Sequence, residues 1–251
     1  MRFDAPAATA FLLLLGATAC SLVMSIDGLR QGDAPVDSGA ATADAPQGEQ
    51  LLREDFEGFA LATDWGESSS QGPAWFSSYL GGGATGIERD ASQVLSLAPR
   101  AAGAGESWSA LVRTTARFGD LELSIRMKTV AQLRTKSPEP TEAAQVLWHL
   151  DDREDRCNYL LLTASGGWEI GKKALASGEQ QVLASGTGSL VAGAWHAPRI
   201  RQVGATITVW LDDAPTPRSA QDPEPTEGTI GLYVDDAHAH FDDVLVVRPQ
   251  P

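Results

Sequence analysis

A period-two alternation of apolar and polar residues restricts the fold of this chain more than any other feature. Residues 121–128 read LELSIRMK and residues 206–211 read TITVWL, so an apolar side chain recurs at every second position. Successive side chains of a β-strand point to opposite faces of the sheet, so this spacing predicts strands with one buried face. No run shows the 3.6-residue spacing of a three-turn amphipathic helix.

Further runs have the same strand character, and glycine-rich turns separate them. They are residues 75–80, 94–98, 107–115, 145–150, 159–163, 168–172, 196–202, 229–234 and 240–247. About a dozen short strands without crossover helices predict an all-β fold, a two-sheet antiparallel jelly-roll sandwich. The Pro-rich, polar segments 134–144 and 212–227 predict long surface loops, and the Gly-rich segment 81–86 predicts a mobile loop.

The first 26 residues predict an export signal. Residues 5–26 carry no charge. Within them, the apolar core at residues 11–15 is followed by small residues that end in Ala-Thr-Ala-Cys at positions 17–20. This resembles a bacterial lipoprotein signal, in which Cys20 is lipidated after cleavage. The uncharged stretch is also long enough for an uncleaved membrane anchor, and a secreted soluble form is the third alternative. All three place the rest of the chain outside the cytoplasm, and the first tethers it to the membrane through lipid.

Residues 27–50 predict a disordered tether. They contain no aromatic side chain and are rich in Ala, Gly, Asp, Ser and Pro. Such a segment buries too little apolar surface to offset the entropy lost on ordering. All seven tryptophans follow it, so one jelly-roll domain over residues 51–249 is the simplest division.

Charge excludes nucleic acid as a partner, and cysteine content excludes two kinds of cysteine-stabilised fold. The chain has 19 Lys and Arg against 33 Asp and Glu, a net charge of −14, and no basic cluster. Nucleic-acid affinity depends mostly on cations that neutralise phosphates, so nucleic acid is excluded. Two cysteines exclude a disulfide framework and a cysteine-based zinc ribbon. Cys157 is predicted to be a buried, unreactive thiol.

The second half of the chain resembles a known family. The strings that carry the likeness are residues 158–161 (NYLL), 168–173 (WEIGKK), 204–209 (GATITV), 228–234 (GTIGLYV) and 241–244 (FDDV). Their order is similar to bacterial concanavalin A-like (laminin G-like) jelly rolls, of the type labelled 3-keto-disaccharide hydrolase or family-16 glycoside-hydrolase-like. The resemblance covers about residues 54–247. It implies a curved sandwich and often a carbohydrate ligand.

Catalytic carboxylates are the test of the enzyme alternative. Family-16 enzymes of this fold carry Glu-x-Asp-x-Glu on one strand face, and no such string occurs here. Glycoside hydrolysis needs two carboxyl groups about 5–10 Å apart. Asp151, Asp152, Glu154 and Asp155 form an acidic loop, which is either a solvated turn or the site of a hydrolase. We therefore predict carbohydrate binding without catalysis, with a glycoside or keto-disaccharide hydrolase and a structural protein-interaction module as alternatives.

Five side chains are predicted to bind a ligand. Sugars stack their C–H faces on aromatic rings and offer hydroxyl groups to polar side chains. Trp210 stands at a polar position of its strand, and Tyr233 is out of phase with the apolar residues around it. Gln145 and His149 share the polar parity of their strand, and Asn158 begins the next. The alternative is that Trp210 and Tyr233 pack under loops; Trp148, Trp168 and Trp195 are assigned to the core.

Calcium is the predicted cofactor, as a structural ion. Glu54, Asp55 and Glu57 on the first strand are expected to meet Asp243 on the last strand, because jelly rolls commonly pair their terminal strands. Calcium prefers carboxylate and carbonyl oxygens. His238 and His240 are two residues apart, so they share a strand face and offer nitrogen ligands to a transition metal, with Asp236 or Asp242 as the third. An ordinary polar edge strand is the alternative at both places.

Overall fold

The computed structural model describes residues 48–61, 64–151, 153, 155–212, 214–224 and 227–250. The predicted leader with Cys20 and nearly all of the predicted tether lie outside these residues. The described part consists of β-strands and their connections, and none of its segments is a helix long and apolar enough to cross a membrane.

Sixteen strands make up the described part of the chain. They are β1 Gly48–Glu54, β2 Ser69–Gln71, β3 Trp75–Tyr79, β4 Ala84–Asp90, β5 Ser92–Ala98, β6 Ser109–Thr114, β7 Leu121–Gln132, β8 Ala144–Asp151, β9 Arg156–Leu162, β10 Gly167–Lys173, β11 Gln180–Thr187, β12 Arg199–Val203, β13 Thr206–Trp210, β14 Arg218–Gln221, β15 Thr229–Asp235 and β16 Ala237–Pro249.

The strands form two antiparallel sheets of eight, which confirms the predicted all-β, two-sheet sandwich. Sheet A has the order β14-β13-β12-β7-β16-β5-β4, and sheet B has the order β11-β10-β9-β8-β15-β6-β3-β2. β1 joins sheet A by pairing with the C-terminal half of β16, from Gly48 opposite Pro249 to Glu54 opposite Val244. The first and last strands are therefore neighbours. β1 also includes residues 48–50, which the sequence assigned to the end of the tether.

The core lies between the two sheets. Leu121, Leu123, Ile125 and Met127 of β7 all point into it, as their alternation predicts. They share one hydrophobic cluster with apolar side chains of sheet B, among them Trp148. A fully buried polar contact joins the two sheets within this layer. The indole Nε1–H of Trp148 donates to Oε1 of Gln202, and both residues are 0 % exposed.

A second hydrophobic cluster covers the outer face of sheet B. Its larger members are at most 6 % exposed, and they are Leu111, Leu147, Leu150, Tyr159, Leu161 and Tyr233. Glycine makes room for it: a Cβ at Gly171 would lie 2.6 Å from the ring of Tyr159. Every residue of β8 is buried, since this strand is covered on both sides.

Four strands were not predicted from the sequence: β2, β4, β11 and β14. The prediction of a mobile loop over residues 81–86 is wrong from Ala84 onward, because β4 begins there and pairs with β5 along its whole length. The predicted loop 212–227 likewise contains β14. β4, β11 and β14 each end the strand order of a sheet or lie at its margin, where neither face need be fully apolar, so the alternation that marks a strand is weak.

We expect Gln202→Leu to destabilise the sandwich by about 1–3 kcal/mol, because it leaves the Trp148 indole N–H without an acceptor inside the core. Urea unfolding followed by tryptophan fluorescence measures this loss. In a double-mutant cycle, Trp148→Phe should cost less in the Gln202→Leu background than in the natural chain. Equal costs in both backgrounds would show that the contact contributes nothing.

Candidate functional site

A groove of about 540 Å³ lies on the outer face of sheet B, beside the second hydrophobic cluster. One wall consists of β3 and β6. The other consists of the end of β8, Asp155 and the turn between β10 and β11, which contributes Leu175 and Ala176. The groove therefore lies where the covered part of the sheet ends.

Two half-buried aromatic side chains, Phe76 and Tyr79, line the first wall. They are three positions apart, so strict alternation would place them on opposite faces. A bulge in β3 changes this, because Phe76 pairs with Arg113 while Tyr79 pairs with Leu111, and those two partners share one face of β6. The guanidinium of Arg113 stacks on Phe76 at 5.5 Å from the ring centroid.

Two carboxylates of the predicted acidic loop line the second wall. Asp151 accepts a hydrogen bond of 2.6 Å from Nη2 of Arg117 and another of 2.8 Å from the backbone N–H of Arg153. Asp155 accepts from the backbone N–H of Ala176 at 2.9 Å, which ties the loop to the β10–β11 turn. Asp152 and Glu154, the other two acids of that loop, lie outside the described residues.

Buried polar groups extend from the groove beneath the hydrophobic cluster. Burial raises the pKa of Tyr79 to about 12, and a hydrogen bond with Ser109 partly offsets this. Lys173 is 5 % exposed; its Nζ donates to Oε1 of Gln145 at 3.4 Å and lies 4.1 Å from the ring centroid of Tyr233. Burial lowers the pKa of Lys173, and the charge of Asp235 opposes that shift.

The structure brings together two of the five side chains predicted to bind a ligand. Tyr233 and Gln145 are paired across β15 and β8, and both are buried next to Lys173. Neither belongs to the lining of the groove. They belong to the layer that closes the centre of this sheet face.

His149 and Asn158 lie elsewhere and have internal partners. Nε2 of His149 is 2.9 Å from the carbonyl oxygen of Gly119, and burial lowers the pKa of this histidine. The residue has a positive φ of 53° within a bulge of β8, so it leaves the alternation of the strand. Asn158 donates to Asp222, which also accepts from Lys172 at 2.9 Å.

Trp210 lies on sheet A, where the guanidinium of Arg199 stacks 4.0 Å from its ring centroid. The assignment of Trp195 to the core is wrong. Its ring lies on the outer side of sheet A, against the side chains of Arg126 and Lys128 at 4.6 Å and 4.9 Å.

Three of the carboxylates predicted to bind calcium have separate partners. Glu54 accepts from the backbone N–H of Phe56 and from the indole of Trp75, whereas Glu57 accepts from Gln93. Asp243 pairs with Arg126 at 3.1 Å. Calcium at these residues stays a prediction. Among the described residues, the group of ligand atoms close enough to share a metal is Glu88, His238 and His240.

Sequence reasoning missed Phe76 and Tyr79 as site residues. Residues 75–80 were predicted to be a strand, and the strand exists. The bulge that brings both rings to one face has no local sequence signal, because its position depends on pairing with β6. The Gly81-Gly82-Gly83 turn directly after the strand was the signal closest to it.

The similarities to known proteins support the fold of the chain and do not identify its function. No protein-family model and no curated protein matches the chain. A carbohydrate-binding module, CBM66 from Bacillus subtilis, matches with a TM-score of 0.51 and 16% identity over 68% of this chain and 92% of that one. A prokaryotic beta-1,3-1,4-glucanase (lichenase) from a mouse hindgut metagenome matches with a TM-score of 0.53 and 14% identity, over 72% and 96%.

The exoplasmic/lumenal domain of VIP36, in a Ca²⁺/Man3GlcNAc-bound form, matches with a TM-score of 0.50 and 12% identity, over 74% of this chain and 88% of that one. Identities this low show a shared fold alone. They confirm the concanavalin A-like jelly roll that the sequence predicted.

We expect the stability of the protein to fall as the pH drops below 6.5, in part because of His149. Burial holds its pKa below the ordinary value of 6.5, so the unfolded chain takes up a proton that the folded chain does not. Above pH 6.5, His149 is neutral in both states and costs no stability. As the pH falls from 6.5 toward the lower pKa of the folded state, the free energy of unfolding decreases. His149→Asn, which tolerates the positive φ, should make the slope of unfolding free energy against pH shallower by up to about 1.4 kcal/mol per pH unit. An unchanged slope in urea titrations between pH 7 and 5 would contradict this.

Proposed function

We propose that this chain is an exported, membrane-tethered β-sandwich module that binds carbohydrate in the groove of sheet B without catalysing a reaction. The observation that carries the proposal is the pair of half-buried rings, Phe76 and Tyr79, which face two carboxylates across that groove. The solved structures that share the fold include a carbohydrate-binding module and the exoplasmic/lumenal domain of VIP36 in its Ca²⁺/Man3GlcNAc-bound form.

The chemistry of the two walls suits a sugar. The face of an aromatic ring carries partial negative charge, which attracts the weakly positive C–H groups on one side of a pyranose. Opposite the rings, Asp151 and Asp155 each have oxygen atoms that accept from sugar hydroxyl groups. A concave site with aromatic walls and few polar groups is the usual form of a small-ligand site.

A second groove, of about 620 Å³, is less suitable. It lies at one end of the sandwich and is lined by Leu51, Arg117, Phe118, Val203 and Arg248, among others. Phe118 is its one aromatic ring among the described residues, and it is 5 % exposed, so it offers no stacking surface. The groove beside β3 therefore remains the better candidate.

The arrangement of carboxylates favours binding over hydrolysis. Glycoside hydrolysis needs a carboxylic acid that keeps its proton near neutral pH, together with a second carboxylate. Asp151 is instead committed to an ion pair with Arg117. Most central positions on this face carry apolar side chains, among them Leu147, Tyr159 and Leu161. Burial raises the pKa of Asp235, but this carboxyl does not line the groove. A hydrolase of the glycoside or keto-disaccharide type, acting through Asp151 and Asp155, is the second candidate.

Glycan-array screening of the purified chain, followed by titration calorimetry with the strongest glycan, tests the proposal. Tyr79→Ala and Phe76→Ala should each weaken binding by roughly tenfold or more, equal to about 1.4 kcal/mol. Tyr79→Phe keeps the ring and should keep most of the affinity. Trp210→Ala is the matched control, because Trp210 lies on the other sheet.

The other outcomes of these measurements would assign a different site or a different function. Loss of binding in Trp210→Ala with full binding in Tyr79→Ala would move the site to sheet A. Release of new reducing ends that stops in Asp151→Asn or Asp155→Asn would establish the hydrolase. Absence of both binding and turnover would leave the structural protein-interaction module.

The membrane tether has its own test. Expressed with its leader in a bacterial host, the chain should partition into the membrane fraction, and Cys20→Ser should release it if lipid is the anchor. Retention of Cys20→Ser in the membrane would indicate the uncleaved anchor instead. Recovery of the natural chain in the soluble extracytoplasmic fraction would contradict both.

A further inference from the structure

A cluster of histidine and carboxylate side chains lies on the outer face of sheet A, away from the groove. Strands β16 and β4 supply it, and β5 lies between them. His240 pairs with Ser96 of β5, and Ser96 pairs with Gly86 of β4. These two small residues leave space beside the imidazole, and Glu88 follows Gly86 on the same face of β4.

We propose that His238, His240 and Glu88 bind a divalent transition-metal ion of the zinc type. One ligand atom from each of the three side chains lies within 4.8 Å of the other two. Nε2 of His240 is 3.5 Å from Oε2 of Glu88. Metal–ligand distances of about 2.0–2.1 Å in a tetrahedral site separate two ligand atoms by about 3.4 Å, so this pair already has the required spacing.

The state of His240 is the second, independent observation. Its side chain is 9 % exposed, and its Nε2 is buried without a hydrogen-bond partner. Its Nδ1 lies 3.1 Å from Oδ2 of Asp90. A hydrogen bond donated by Nδ1 to this carboxylate leaves the lone pair of Nε2 free and directs it toward Glu88, an arrangement typical of metal-binding histidines.

The other side chains of the cluster also suit a metal-binding site. His238 is held by a contact of 3.0 Å between its Nε2 and Oγ of Ser96. Lys128 pairs with Asp90, and its ammonium also faces the ring of Trp195. Glu88 and Asp90 together carry two negative charges against the one positive charge of Lys128, so the cluster keeps a net negative charge for a cation. Three protein ligands leave one position for water or a further ligand.

This assignment differs from the sequence-based prediction in the third ligand. The sequence suggested Asp236 or Asp242, which are neighbours of the histidines along the chain. Asp236 instead bonds to Arg134 and to the backbone of Trp108, and Asp242 bonds to Ser92 and Arg126. The competing arrangement without metal is a protonated His240 held between Glu88 and Asp90.

Titration calorimetry of the full chain with Zn²⁺ after chelator treatment tests the site, in a Cys20→Ser background that removes one thiol. We expect one ion per chain. His238→Gln, His240→Gln and Glu88→Gln should each weaken binding at least tenfold, and Asp90→Asn by roughly tenfold through the orientation of His240. Zn²⁺ should also raise the melting temperature of the parent chain and leave that of His240→Gln unchanged.

His196→Gln is the matched control. His196 also pairs with a carboxylate, Asp212, but no third ligand lies near it among the described residues, so this variant should bind Zn²⁺ like the parent. If His240→Gln fails to fold, the half-buried His238→Gln variant decides. Absence of Zn²⁺ binding by the parent chain, or one-to-one binding that survives in the His238→Gln/His240→Gln double variant, would overturn the proposal.

Discussion

The burial of sheet B on both faces is the constraint on which the rest of the structure depends. Its inner face packs on sheet A, and its outer face carries a second apolar layer around Leu147 and Tyr159. A sheet covered in this way leaves little of its surface for a ligand. The apolar side chains of this layer pack directly over glycines of the sheet. A Cβ at Gly171 would collide with Tyr159, and one at Gly231 would crowd Leu147. The groove that we propose as a ligand site therefore lies at the margin of that layer, beside β3.

Sheet A meets a different constraint. The described residues form no second hydrophobic cluster on its outer face. Cationic and aromatic side chains lie there instead, as in the stack of Arg126 and Lys128 on Trp195. Between them the small residues of β5 and β4 leave a recess that His240 and Glu88 share. The two candidate sites thus lie on opposite sides of the sandwich, and each can be removed by substitution without touching the other.

β-Bulges in two strands decide which polar and aromatic side chains share a face of the sheet. The bulge in β3 moves Tyr79 to the same face as Phe76, and a bulge in β8 turns His149 out of the alternation that Gln145 follows. A bulge adds one residue on one strand only, so it reverses the parity of every side chain beyond it. Counting by twos along the sequence predicts the core correctly up to such a point. It assigns the wrong face after it, as for His149. Trp210 is separate for another reason, because its strand belongs to the other sheet.

The sequence by itself determined the fold class and eleven of the strands, because a period of two survives without knowledge of any partner. The expected pairing of the terminal strands came from the jelly-roll fold and not from the alternation. It also identified His238 and His240 as a possible pair of ligands, since they are close along one strand. Only the tertiary structure decided that Glu88 lies close to both histidines, and that Tyr79 and Asp155 line one groove. Those contacts depend on strand order, bulge position and edge pairing, which arise from interactions between residues far apart in the chain.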